Sequence, residues 1–89
     1  MIAVARFEVP LGSASDFRVE LEGVRDVLAE AAGFLGGEMG QNLDEPTLWV
    51  LTTRWENVGS YRRALSSTRA KLEAIPILAR AIDEAGAYE

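Results

Sequence analysis

Hydrophobic residues follow two different periodicities along this chain, and each predicts a type of element. Residues 2–9 are rich in strand-forming side chains, residues 34–41 are predicted as a second strand interrupted by Gly36, Gly37 and Gly40, and residues 47–55 are the strongest candidate strand. Between the first two strands, apolar side chains recur at helical spacing on an otherwise charged segment. Residues 13–31 are therefore predicted to form an amphipathic helix, with an apolar stripe of Phe17, Leu21, Val24 and Leu28.

The second half of the chain is predicted to be mainly helical. Asn57 can cap a second helix, whose buried stripe is expected to contain Val58, Tyr61, Leu65, Thr68 and Leu72. Pro76 ends or kinks that helix because proline lacks a backbone N–H. A further short helix is expected around residues 77–82, followed by the start of a last strand at 87–89.

The order β-α-β-β-α-(α)-β predicts a single domain, residues 1–89, of the α+β class. Its expected architecture is ferredoxin-like βαββαβ: a four-stranded antiparallel sheet with helices on one face. Side chains alternate along residues 47–55, so Trp49, Leu51, Thr53 and Trp55 share one side. Since two helices cover only one face, the other is expected to pack against a second copy. A homodimer through the sheet face is therefore predicted.

Composition narrows the functional classes. The net charge of −5 argues against binding to nucleic acid or anionic membranes, which need a basic surface. With no cysteine and no histidine, thiol chemistry and the commonest metal ligand are excluded. No metal site is predicted, because the Asp44-Glu45 pair lacks the further oxygen ligands of a calcium loop. The chain has no signal peptide and no spanning apolar run, so a cytoplasmic location is expected.

Three segments occur in an order that resembles a known family. They are Gly33-Phe34-Leu35 after the first helix, the strand 47–55 that ends in Trp55, and the segment WENVGSY that follows directly. Together they resemble the antibiotic biosynthesis monooxygenase family. The resemblance implies a dimeric α+β barrel with a small pocket between helices and sheet. It also implies oxidation of an electron-rich phenol or anthrone by O2, without a metal, flavin or other cofactor.

The resemblance places catalytic roles on Trp55 and Tyr61. The substrate-binding residues are predicted to be Phe34, Trp49, Leu51, Leu65 and Arg69. Structural alternatives stand beside these roles: Trp55, Trp49 and Tyr61 can be core residues, and Arg69 can be a solvated surface arginine. Two strand arginines, Arg6 and Arg54, are read as members of interface salt bridges, with Glu8 and Glu38 as candidate partners.

Two departures from the family pattern shape the functional prediction. Quinone-forming members carry an asparagine four residues before the tryptophan, where this chain has Leu51, and the absence of histidine argues against haem degradation. The predicted function is a cofactor-independent monooxygenase-like protein that oxidises a small polyketide- or quinol-like aromatic with O2. The main alternative is a non-catalytic ligand-binding or assembly module on the same dimer scaffold. A cyclase or isomerase ranks last because it needs an acid or base beyond Tyr61.

Overall fold

The four strands form one antiparallel sheet, as the sequence predicts. The computed structural model describes residues 1–89, and its strands are β1 (Ile2–Glu8), β2 (Phe34–Gln41), β3 (Leu48–Trp55) and β4 (Ala87–Tyr88). Their order in the sheet is β2-β3-β1-β4, with every neighbouring pair antiparallel. The predicted ferredoxin-like α+β class is therefore confirmed, and all four strands lie within one residue of their predicted bounds.

The helices pack on one side of this sheet. A single 3-10 turn (Leu11–Ser13) leads into α1 (Ala14–Ala29), and α2 (Val58–Leu65), α3 (Thr68–Glu73) and α4 (Ile75–Leu78) follow β3. The apolar stripe predicted on the first helix is confirmed, since Phe17, Leu21, Val24 and Leu28 are all buried. No helix in the structure combines the length and the apolar character that crossing a membrane requires.

Alternation along β3 separates a covered face from an open one. Trp49, Leu51, Thr53 and Trp55 are buried beneath the helices, whereas the intervening side chains are partly or fully exposed. At one end of the covered face, Phe17 of α1 packs between Phe7 and Trp49, with ring centroids 5.1 and 5.6 Å away. The covered half of the sheet therefore follows the predicted pattern, and no element of this chain covers the opposite face.

The helix predicted to run from Asn57 through Leu72 is instead two helices, and the predicted stripe is wrong at its far end. Leu72 is 73% exposed, whereas the small residues Ala70 and Ala74 are buried. The break falls at Ser66 and Ser67, whose hydroxyls donate to the carbonyls of the preceding turn. Ser67 also accepts the N–H of Ala70 and so caps α3. Local serine hydrogen bonds compete with the helical ladder, and here they end it.

The chain after α4 runs along the free edge of β1 rather than continuing as a helix. Ile82 N–H donates to the Arg6 carbonyl at 2.7 Å, and Val4 N–H donates to the Gly86 carbonyl at 2.6 Å. The predicted helical residues 81 and 82 therefore belong to this edge segment, residues 81–88, which we call the C-terminal strap. Gly86 permits the close approach, since a β-carbon there would lie 2.3 Å from the Val4 carbonyl oxygen.

Charged pairs lie along the open face of the sheet. Arg54 pairs with Glu38 at 3.7 Å, as predicted. Arg6 does not pair with Glu8: its guanidinium donates two hydrogen bonds of 2.7 Å to Glu84 of the strap. The prediction of Glu8 was wrong because the strap brings a carboxylate from 78 positions away in the chain to the edge of β1.

Candidate functional site

A cavity of about 310 Å3 lies between the covered face of the sheet and the helices. Its floor is formed by β1 and β3, including Leu51 and Thr53, and α1 contributes Leu28. Further walls come from Leu65 of α2, from α4 and from the C-terminal strap. Twelve of the fifteen lining residues are hydrophobic. A volume at the lower end of the range for small-molecule sites, about 300–1,000 Å3, fits a small and largely apolar ligand.

The lining includes two hydroxyl-bearing residues, Thr53 of the sheet and Tyr61 of α2, and one acidic residue, Glu84 of the strap. The Tyr61 hydroxyl makes no hydrogen bond to the protein, and burial raises the pKa of this phenol above its ordinary value of 10.0. Tyr61 therefore stays protonated around neutral pH. In that state it can donate a hydrogen bond to a ligand, but it cannot act as an unaided base.

Glu84 belongs to the cavity lining, and its carboxylate is paired with Arg6. The hydrogen bonds and charge of Arg6 hold the pKa of the Glu84 carboxyl below its ordinary value, against a smaller opposing effect of desolvation. Glu84 is therefore an anion with a satisfied partner. Tyr61 is therefore a neutral donor and Glu84 a paired anion, so neither of these lining residues serves readily as an acid–base group near neutral pH.

Trp55 lies behind the cavity rather than in its lining. The residue is 1% exposed, and its indole N–H donates to the Thr53 hydroxyl at 2.8 Å. Its ring packs edge-on against Phe34 at 5.2 Å and tilted against Tyr61 at 5.7 Å, measured between ring centroids. Trp55 and Phe34 therefore support Tyr61 from behind, and neither belongs to the residues that line the cavity.

Two further predicted substrate-binding residues also lie outside the cavity lining. Trp49 is 2% exposed within the Phe7–Phe17 cluster, and the Arg18 guanidinium covers its ring at 4.9 Å. Arg69 is on the surface, where it forms ion pairs with Glu30 and Glu73. Of the seven predicted site residues, the structure brings Leu51, Tyr61 and Leu65 together around the cavity.

Sequence reasoning did not select Thr53 or the strap residues as part of the site. A signal for Thr53 was present: a threonine two residues before a tryptophan on the same strand face can accept the indole N–H. No local signal marks Glu84, because its position depends on the pairing of the strap with β1. No group of three or more carboxylates is gathered closely enough to hold a metal ion.

Comparison with known proteins places this geometry in context. A 42.8 kDa protein in the whiE locus of Streptomyces coelicolor is 31% identical over 58 residues, which are 65% of this chain. The matched part spans only 15% of that relative's length.

Two crystal structures have the same fold. A conserved protein from Methanosarcina mazei superposes with a TM-score of 0.76 at 19% identity, over 97% of this chain and 84% of that one. SnoaB, a cofactor-independent oxygenase from Streptomyces nogalater, gives 0.77 at 22% identity, over 90% and 80% of the two chains. Residues 1–72 match the antibiotic biosynthesis monooxygenase family. The chain therefore belongs to the antibiotic biosynthesis monooxygenase family.

Proposed function

We propose that this protein oxidises a small aromatic, polyketide- or quinol-like substrate with O2 in the cavity beside Tyr61, without a cofactor. The observation that carries the proposal is an unpartnered phenol in a cavity of about 310 Å3 whose lining is mostly hydrophobic. Family membership supports an oxygenase-type reaction, and the similar fold of SnoaB, a cofactor-independent oxygenase, is consistent with it. The substrate class follows from the apolar lining, which favours fused rings over sugars or charged metabolites.

The proposed reaction balances without an external reductant. A ring methylene of an anthrone-type substrate loses two hydrogens and gains one oxygen atom, and the second oxygen atom of O2 leaves as water. All four electrons needed to reduce O2 come from the substrate. Within this scheme, the Tyr61 hydroxyl donates to the substrate oxygen on which negative charge accumulates after deprotonation.

Tyr61 is proposed as a hydrogen-bond donor and not as the base. Burial raises the pKa of its phenol, so the phenolate is disfavoured at neutral pH. The substrate proton must therefore leave to water or to a basic group of the substrate itself. This assignment favours substrates that ionise readily, such as anthrones and hydroquinones, over simple phenols.

Oxygen uptake tests the proposal directly. Purified protein is incubated with a panel of anthrones and dihydroxynaphthalenes, and O2 consumption is followed with an electrode against protein-free background. We expect Tyr61→Phe to lower kcat by about 10- to 1,000-fold, as loss of a donor to a developing anion does elsewhere. Tyr88→Phe is the matched control, because Tyr88 is 54% exposed and lies outside the cavity. Uptake no faster than background across the panel would overturn the oxygenase proposal.

The second candidate is a non-catalytic ligand-binding or assembly module. It is favoured by the absence of a cavity group poised near neutral pH and by the apolar Leu51 in the lining. This candidate predicts an aromatic ligand that binds without turnover. Native mass spectrometry of freshly purified protein distinguishes the two, since a co-purified small molecule together with no O2 consumption supports the module. A cyclase or isomerase is disfavoured because its reaction needs an acid–base group of the same kind.

We also propose a homodimer formed through the open face of the sheet. The apolar side chains Val4, Leu48 and Val50 share that face by strand register, and no helix of this chain covers them. Ion pairs such as Arg54–Glu38 flank the apolar strip and can orient a partner copy. These apolar side chains alternate with Thr52, Arg6 and Glu8 across the strand pair, and their burial against a twin surface is more favourable than exposure to water.

A further inference from the structure

The Thr53 hydroxyl uses only part of its hydrogen-bonding capacity within the protein. A hydroxyl has one donor and two acceptor sites, whereas an indole N–H can only donate. In the 2.8 Å contact with Trp55 the threonine oxygen is therefore the acceptor. The hydroxyl hydrogen has no acceptor in the protein, although Thr53 is only 3% exposed. A buried O–H group without an acceptor is unfavourable unless a ligand or water supplies one.

The orientation of Thr53 leaves the cavity as the place where that acceptor can sit. A β-carbon placed on Gly37 would lie 3.3 Å from the Thr53 methyl carbon, so the methyl group faces the β2 side. Trp55 is on the same strand face two residues on, and it lies outside the cavity lining, while Thr53 is part of that lining. Ala3, the cross-strand neighbour of Thr53 on β1, also lines the cavity, so the cavity lies on the side of Thr53 away from its methyl group, where the hydroxyl is placed.

We infer that Thr53 is a ligand-binding residue that donates its O–H to a ring-borne oxygen of the aromatic ligand, with Trp55 setting the direction of that hydroxyl. The acceptor is a ring ketone or a phenolate oxygen, since both present lone pairs at the edge of an apolar ring. This inference rests on the proposed function, because it concerns the ligand of the same cavity. The cavity would then have two hydrogen-bond donors, the Thr53 hydroxyl of the sheet and the Tyr61 phenol of α2.

Trp55 acquires a positioning role from this arrangement. Its N–H donation fixes the side-chain rotamer of Thr53, and a hydroxyl that already accepts a hydrogen bond becomes a stronger donor. The ring of Trp55 also contacts Tyr61. One buried indole thereby orients both hydroxyls of the cavity without touching the ligand.

A pair of ligands that differ only in the ring oxygen tests the inference. 9-Fluorenone carries one ring ketone, and fluorene is the same three-ring skeleton without it. We expect wild-type protein to bind fluorenone more tightly than fluorene by calorimetry or fluorescence. Thr53→Val removes the hydroxyl at nearly constant shape and should weaken fluorenone binding about three- to tenfold while leaving fluorene unchanged. Thr53→Ser restores a hydroxyl and should recover fluorenone affinity.

Infrared spectroscopy supplies a readout that a purely structural role would not change. In a Tyr61→Phe background, the ketone stretch of bound fluorenone should move to lower frequency than in hexane, and Trp55→Phe should reduce that shift. If Thr53→Val alone fails to fold, the double variant Thr53→Val/Trp55→Phe removes donor and acceptor together and avoids an orphaned indole.

The outcomes separate the two proposals. Wild-type protein that binds neither compound would overturn the aromatic-ligand function and this inference with it. Equal affinities for fluorenone and fluorene, or unchanged fluorenone affinity in Thr53→Val, would overturn the role of Thr53 alone. Preference for fluorenone that is lost in Thr53→Val and recovered in Thr53→Ser supports it.

Discussion

At the scale of single residues, the protonation state of Tyr61 decides which chemistry the cavity can support. Burial disfavours the phenolate, so the folded state holds the proton more tightly than the unfolded chain. The sign of the linkage follows: Tyr61 favours folding below its unfolded pKa of about 10, and this contribution is lost as pH rises through the higher folded pKa. The neutral phenol is therefore the form available to a ligand at working pH.

A variant with one tyrosine measures that shift. In Tyr88→Phe, ultraviolet absorbance of phenolate reports Tyr61 alone, because the chain has two tyrosines. We expect the midpoint of the folded protein to lie above the ordinary value of about 10, and to return to it in urea. A folded midpoint at or below that value would contradict the donor role and reopen the case for Tyr61 as a base.

Two glycines provide a second test at residue scale, with opposite expected signs. Gly33 has a φ of +89°, and a β-carbon there would lie 2.4 Å from the Ser60 hydroxyl oxygen. We expect Gly33→Ala to lower the free energy of unfolding by roughly 1–3 kcal/mol, through backbone strain and displacement of α2. Gly23 lies within α1 with open space around it, so Gly23→Ala should raise the free energy by about 0.5–1 kcal/mol. Urea denaturation measures the free energy of unfolding of both variants. Changes of the same sign in the two would refute the different roles assigned to Gly33 and Gly23.

Some residues of the site were visible in the sequence, and others required the fold. Tyr61 and Leu51 could be placed near one cavity because helical and strand periodicities assign each a face. The direction of the Trp55 ring could not be predicted, since strand alternation fixes the side of the sheet on which a side chain lies but not its rotamer. The indole turns back along β3 to Thr53, which moves Thr53 into the lining and Trp55 behind it.

At the scale of elements, the C-terminal strap closes the cavity with few interactions. Outside the β4 ladder two backbone hydrogen bonds tie it to β1, the Arg6–Glu84 pair adds a charged contact, and β4 itself is two residues long. Neither the side-chain pair nor so short a strand is strongly stabilising at the surface. The strap is therefore the part of the wall that should open most easily, and a ligand can enter there without unfolding of the sheet.

Hydrogen exchange with a Gly86 variant tests this view of the strap. In Gly86→Ala the added β-carbon would meet the Val4 carbonyl oxygen, so the strap should move away from β1. We expect protection of the Val4 and Ile82 amides to fall markedly. The Val9 amide, which donates to the Thr47 carbonyl on the β3 side of the β1 strand, should stay protected. Unchanged protection at Val4 would show that the strap is not held by that contact.

The strands were predicted more closely than the helices that follow them, for a physical reason. Strand bounds follow from dense apolar patterning and from turn residues, both of which are local. The division between α2 and α3 depends on Ser66 and Ser67, whose hydroxyls can serve a helix or end it. Burial of Ala70 in place of Leu72 reflects the packing of α3 against α1, which local periodicity cannot specify.

At the scale of the whole molecule, we expect a second copy of the protein to cover the open face of the sheet. Val50 faces outward from the central strand β3, and Val19 on α1 is 69% exposed on the opposite side of the molecule. We expect Val50→Asp to convert the proposed dimer to a monomer at micromolar concentration, because desolvation of the added carboxylate opposes association even with Arg6 as its cross-strand neighbour. Val19→Asp is the matched control and should leave the mass unchanged.

Light scattering after size-exclusion chromatography gives the mass, and circular dichroism confirms that both variants are folded. Monomeric wild-type protein at micromolar concentration would refute the dimer outright. A dimer that persists in Val50→Asp would place the interface elsewhere on the molecule.

The origin of the cavity lining along the chain has a consequence for how such a protein can diversify. Seven of the fifteen lining residues come from positions 75–87, beyond the 1–72 that match the family. The two hydroxyl-bearing residues of the cavity, Thr53 and Tyr61, thus belong to one stretch of the chain, and much of the remaining cavity wall belongs to another. Exchange of the segment 75–87 between related proteins should therefore change which ligands the cavity accepts while Thr53 and Tyr61 stay in place.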